Sequence, residues 1–190
     1  CSKVKAFLHF SSTAVYEYAG HEPRSEDAPL GDNHRVMFPT YSIAKIAAET
    51  VCRFVAHQRG IPTTIARLSV PYGDNGGWMY FHMLMMQQGI PIELHPDQPN
   101  YYNPLHVADY IEKIPYLLGA ASKEVTTLNF GGSERVSIEQ WCAHIGELTG
   151  FEAIFAANPK AFGSLAIDTE KMHALIGPTR MDWREGIRSQ

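Results

Sequence analysis

Hydrophobic positions along the chain change period three times within the first 75 residues. "VKAFLHFSS" (4–12) is a nearly continuous apolar run closed by hydroxyls, the pattern of a short buried parallel strand. From Tyr41 the spacing becomes helical: Ile43, Ala47, Val51, Phe54 and Val55 recur three and four residues apart, which predicts an apolar packing face. Gly60, with Pro62 just beyond, predicts the stop. "TTIARLSV" then reads as a second strand, closed by the turn-rich "PYGDNGG". Strand, long loop, helix and strand make a right-handed crossover unit of a parallel sheet.

The second half is more mixed. A Met-rich helix is predicted from Trp78 to Gln88, stopping at Gly89, with a short strand "PIELH" after it. Adaptable core packing explains the methionines better than a ligand surface does. "NPLHVADYIEKIPYLL" passes from an extended segment into a helix, and "VTTLNFGG" is another strand. Ser137 and Gln140 form a capping box for a helix that ends at Gly150, with Ile138, Trp141, Cys142, Ile145 and Leu148 on one face. The resulting fold class is α/β: the C-terminal portion of a Rossmann-type parallel sheet with a small mixed α/β substrate lobe.

Composition narrows the partners. The 190 residues suffice for one sizeable core or one domain with a smaller lobe. A net charge of −4 with interspersed charges argues against a phosphate-tracking surface, so no nucleic acid is expected. No apolar run reaches membrane-spanning length, and the best, around Met79 to Met86, is cut by Gln87, Gln88 and Gly89. The chain opens with neither a methionine nor a signal peptide. Cys1, Cys52 and Cys142 are scattered and unpaired in sequence, which suits a reduced, cytoplasmic setting. No histidine stands at helical ligand spacing from another histidine or a cysteine, so no metal site is expected.

Tyr41 and Lys45 lie one helical turn apart, on a stripe that Glu49 continues and that avoids the apolar face. One reading is a solvated face with a Lys45–Glu49 pair worth about 0.3–0.5 kcal/mol. The other is that the ammonium stabilises a tyrosinate. Moving a phenol from a pKa near 10 to near 7 takes about 4 kcal/mol, much of which a close cation in a partly dry cleft supplies. Context favours chemistry, because Ser11, Ser12 and Thr13 end the first strand at the carboxyl edge, where open α/β sheets bind ligands.

At this point the chain resembles the extended short-chain dehydrogenase/reductase family, of the NAD-dependent epimerase/dehydratase type. The resemblance rests on Ser12 three residues before Val15-Tyr16, on Tyr41 with Lys45, and on "RLSVPYG" from Arg67 to Gly73. It continues through "YYNPLHVADYIEKI", "LNFGGSERVSIEQW" and "IDTEKMHALIG" over essentially the whole chain. It implies Tyr41 as general acid or base, Lys45 as its tuning cation and a nicotinamide-ribose contact, and Ser12 as the group orienting the reacting oxygen. Ser11, Leu68, Val70 and Pro71 would line the cofactor, with Thr13 and Tyr102 toward substrate. The implied partners are NAD or NADP and a small secondary alcohol or ketone; a homodimer is left open. A non-catalytic dinucleotide-binding sensor or assembly protein of the same fold is the alternative.

Departures from the family sharpen the expectation. Its glycine-rich loop, which seats a pyrophosphate at a helix N-terminus, has no counterpart, and "GDNGG" stands in the wrong place for it. Residues 1–75 therefore read as the C-terminal part of a dinucleotide-binding domain. Residues 76–190 read mainly as a substrate lobe, with 125–150 returning to the sheet, and the activity is expected of a longer parent. Thr13 and Ala14 replace the family's dehydratase acid pair, which argues against water elimination. Val70 and Tyr102 stand where an asparagine and an arginine usually hold a nucleotide diphosphate, which weakens that substrate class. Glu17 reads as a solvated loop acid, Asp109 as the cap of the helix that follows it, and His106 as a strand-end hydrogen-bonding residue. Trp78, Tyr101 and Tyr102 fit either an aromatic pocket or ordinary core packing.

Overall fold

A computed structural model describes residues 3–32, 39–74 and 76–189. Cys1 and Asn75 of the "GDNGG" turn lie outside the described residues. The first strand, β1 (Phe7–Ser12), runs into a single 3-10 turn at Thr13–Val15. The long helix α1 (Tyr41–Arg59) ends on Gly60, whose left-handed φ of 61° suits a residue without Cβ. Next comes β2 (Thr63–Leu68), all but its last residue buried. Small pieces follow: β3 (Pro71–Gly73), β4 (Gly76–Gly77), α2 (Trp78–Gln88), β5 (Ile92–Leu94), β6 (Tyr101–Tyr102) and β7 (Leu105–His106). The chain closes with α3 (Val107–Gly119), β8 (Thr126–Phe130), β9 (Val136–Ser137), α4 (Ile138–Thr149), β10 (Phe155–Ala157), α5 (Glu170–Ile176) and α6 (Trp183–Arg188).

The organising sheet is parallel, in the order β1-β2-β8, with Phe7 opposite Thr63 and Thr64 opposite Thr126. Because all three strands point the same way, Ser12, Leu68 and Phe130 finish at one carboxyl edge. Short two- and three-stranded ribbons join the later segments: β4-β3-β7, β6-β9 and β10-β5. The main core gathers Tyr16, Met79, Ile92, Trp141 and Ile145. A second core, around Ala66, Leu105, Leu128, Phe130 and Met172, covers one side of the sheet. The capping box of α4 is fully formed, with Ser137 accepting the Gln140 N–H and Gln140 accepting the Ser137 N–H.

Three expectations are corrected. The apolar stripe of α1 is not its packing face: Ile43, Ala47, Val51, Phe54 and Val55 are exposed, whereas Ser42, Glu49 and Ala56 are buried. The helix is turned by a buried ion pair of Glu49, described below. The exposed stripe instead borders an apolar groove of about 620 Å³ shared with Val4, Phe7 and Ile61. Leu148 likewise lies outside the packed face of α4, since it is exposed while Ile138, Trp141, Cys142 and Ile145 are buried. Asp109 does not cap α3. His106 does, accepting the Ala108 N–H, and the Asp109 carboxylate instead accepts the N–H groups of Arg180 and Met181 and so ties down the C-terminal segment.

Candidate active site

The site begins where β1 ends. Ser12 leaves the strand in extended geometry and its Oγ accepts the Ala14 N–H at 3.1 Å, capping the turn that follows. That contact occupies the acceptor side of the hydroxyl and leaves its hydrogen to donate. α1 starts at Tyr41, directly after Thr40, whose φ of 70° is a strained value for a β-branched residue. One turn on, Lys45 Nζ lies 5.9 Å from the centre of the Tyr41 ring and donates to the Phe10 carbonyl at 3.3 Å. The cation is thus anchored to the same strand end as Ser12. Lys45 does not form the surface pair with Glu49 that the spacing allowed.

Glu49 faces the opposite way, into the protein. Arg67, in the middle of β2, grips it with two parallel bonds, Nε–Oε1 at 2.9 Å and Nη2–Oε2 at 2.8 Å. Burial alone would push the Glu49 carboxyl up, but the Arg67 donors and charge, helped by Arg53, hold it below the usual carboxylate range. Arg67 also donates to Tyr16 Oη at 3.1 Å and to the Glu26 carbonyl at 2.9 Å. Tyr16 in turn donates to Asn129 Oδ1 at 2.6 Å. Burial keeps the Tyr16 phenol protonated, pushing its pKa up to about 12. This network fixes α1, β1 and β8 against β2, and so fixes where Tyr41 and Lys45 stand.

These groups meet around one cavity of about 440 Å³. Ser12, Tyr41 and Lys45 all line it. So do Ser11, Leu68, Val70 and Pro71 from the two strand ends, together with Thr13 and Tyr102. Trp78 also borders the cavity, whereas Tyr101 does not; its ring lies 4.5 Å from the Arg135 guanidinium. Sequence reasoning missed Ser69, Gly77, Phe162 and Leu165, which line the cavity as well. Ser69 follows from strand geometry, being the next residue past β2. Phe162 and Leu165 sit in a loop without periodic pattern and carried no signal. Gly77 is required by its backbone: φ is 102°, and a Cβ there would stand 2.5 Å from the Pro71 carbonyl oxygen.

The Ser69 hydroxyl is buried at the cavity and has no hydrogen-bond partner among the described residues. A polar atom left in that state points to a polar group arriving from outside. With Tyr41, Lys45 and the apolar Leu68–Pro71 wall beside it, the strand end fits the nicotinamide side of a dinucleotide. Among the described residues no cluster of histidine, cysteine and carboxylate side chains could hold a metal ion, and no helix is long and apolar enough to cross a membrane.

A parallel α/β sheet with a tyrosine-lysine helix beside its carboxyl edge defines a Rossmann-type class of protein. Residues 1–131 match the model of the NAD dependent epimerase/dehydratase family, and the chain belongs to that family. It is 28% identical over 164 residues to a Bacillus subtilis (strain 168) protein described as an uncharacterized UDP-glucose epimerase, YtcB. That match covers 84% of this chain and 50% of the relative, so the chain spans about half the length of the curated relative it matches. Among solved structures, MoeE5 in complex with UDP-glucuronic acid and NAD superposes with a TM-score of 0.79 at 23% identity, over 98% of this chain and 63% of that one. The UDP-glucuronic acid 4-epimerase of Bacillus cereus, with UDP-glucuronic acid and NAD, gives 0.80 at 20% identity, over 97% and 59%. These likenesses establish the Rossmann-type fold.

Proposed function

We propose that the 190 residues carry the catalytic and substrate-binding side of an NAD-dependent epimerase or oxidoreductase acting on a secondary alcohol or ketone. In this reading residues 1–75 belong to a dinucleotide-binding domain whose pyrophosphate seat lies outside these 190 residues. The convergence of Ser12, Tyr41 and Lys45 on one cavity at the sheet's carboxyl edge carries the proposal.

Each residue has a derivable task. Tyr41 exchanges a proton with the substrate oxygen. Lys45, already held by the Phe10 carbonyl, keeps two more N–H donors and a positive charge that favours the phenolate. Ser12 donates its remaining hydrogen to the same substrate oxygen and fixes its position. Leu68, Val70 and Pro71 exclude water beside the reacting carbon. Bound at the strand end, the nicotinamide supplies the hydride acceptor or donor.

Replacing Tyr41→Phe removes only the hydroxyl. Turnover should fall by at least about a thousandfold while NAD affinity stays within about tenfold. Steady-state kinetics and a cofactor titration on the protein that includes its dinucleotide-binding residues measure both. Undiminished turnover in the variant would refute the reading.

A further inference from the structure

The cavity has two kinds of wall. One is the strand end, with its hydroxyls and Lys45; the other is built from rings. Trp78 stacks on Phe162, centroids 5.8 Å apart and planes 8° from parallel, and meets Tyr102 edge-on at 5.0 Å. Tyr102 presents its ring but not its hydroxyl, which is donated to the Gly163 carbonyl at 2.8 Å. Trp78 and Phe162 remain half-buried, so these faces are open to a ligand rather than filled by the core. Leu165 completes the wall.

Charge separates the ligands this wall can take. Lys45 is the one charged side chain among the residues lining the cavity, and it is committed to Tyr41 and the Phe10 carbonyl. The N-terminus of α2, capped by Gly77 without a side chain, adds backbone donors and about half a positive charge. That is enough for a carbonyl or a single carboxylate oxygen. A nucleotide diphosphate brings about two negative charges and needs charge-assisted donors that this lining lacks.

We infer that the ring wall receives an aromatic or alicyclic group attached to the reacting carbon, so that the substrate is an aryl or alicyclic secondary alcohol or ketone without a diphosphate. The inference rests on the hydride-transfer reading above and names its substrate class. It runs against the UDP-glucuronic acid bound by MoeE5 and by the Bacillus cereus epimerase, which makes it sharply testable.

The experiment is calorimetric titration of the protein with acetophenone, cyclohexanone, UDP-glucose and UDP-glucuronic acid, with NAD-linked turnover of the same compounds. The ketones should bind with affinities insensitive to salt. Phe162→Ala and the milder Trp78→Leu should each weaken ketone binding about tenfold, with circular dichroism verifying the fold. Tighter binding of either UDP-sugar than of both ketones would overturn the inference, as would failure of both ketones to bind the folded protein. The two proposals fail separately. Tyr41-dependent turnover of a UDP-sugar without ketone binding keeps the hydride-transfer reading and removes the ring-wall one. Ketone binding that tracks the ring variants, with turnover indifferent to Tyr41→Phe, does the reverse.

Discussion

Glu49 and Arg67 decide, at the scale of single residues, how the Tyr41 helix is seated. Their side chains are each only 4% exposed and share two hydrogen bonds, so each is the other's compensation for lost hydration. Removing one leaves a buried charge alone. Glu49→Gln and Arg67→Met should therefore each cost about 3–5 kcal/mol of stability by urea denaturation. The double variant Glu49→Leu/Arg67→Met should cost less than either single change, because no orphan charge remains. Additive losses in the double variant would show that the pair does not act as a unit. Half of this was readable beforehand. An arginine in the middle of an apolar strand announces a buried partner, and "TTIARLSV" displays one. The identity of that partner was not readable, since Glu49 and Lys45 are spaced like an ordinary surface pair and only the sheet's position separates them.

Helices and strands were legible where their signals are local. The run at 4–12, the stop at Gly60, the Met-rich helix up to Gly89 and the Ser137–Gln140 box all correspond to elements with those ends, because capping and turn chemistry involve neighbouring residues. Which face of a helix goes inward is a different kind of fact. The period of α1 is clear, yet its apolar stripe is the exposed one: Phe54 is 61% exposed, while Ser42 and Glu49 are buried. The choice of face depends on what the sheet presents, and the buried guanidinium of Arg67 outranks a row of methyl groups. For the 190-residue chain, Phe54→Ser should then change stability by less than about 0.5 kcal/mol, as for other exposed positions. The same change in a packed aromatic core would cost about 3 kcal/mol or more, so a urea titration separates the two faces.

Over the whole molecule, the parallel sheet and the convergence of its strand ends followed from the order of elements, whereas the loop that brings Phe162 to the cavity had no period to reveal it. Also unreadable was the joint between α2 and α4, where two unremarkable residues meet. His82 stacks on Trp141, centroids 5.8 Å apart, and its Nδ1 accepts the indole N–H at 2.9 Å. Burial pulls His82 down to about 4, from an ordinary value of 6.5. Between those pH values the unfolded chain binds a proton there that the folded chain refuses, so stability rises with pH across the window. His82 costs the fold nothing above about pH 6.5, and its penalty grows as the pH falls toward 4, reaching about 3 kcal/mol. His9 is also lowered, by burial first and then by Lys45, and acts in the same direction. Carboxylates add their own acid slope, so the comparison must be with a variant. His82→Gln keeps an acceptor for the Trp141 N–H but cannot take the proton. Urea midpoints at pH 7, 5.5 and 4.5 should fall less steeply for this variant than for the parent chain. Parallel slopes would mean that acid enters the fold somewhere other than the α2–α4 joint.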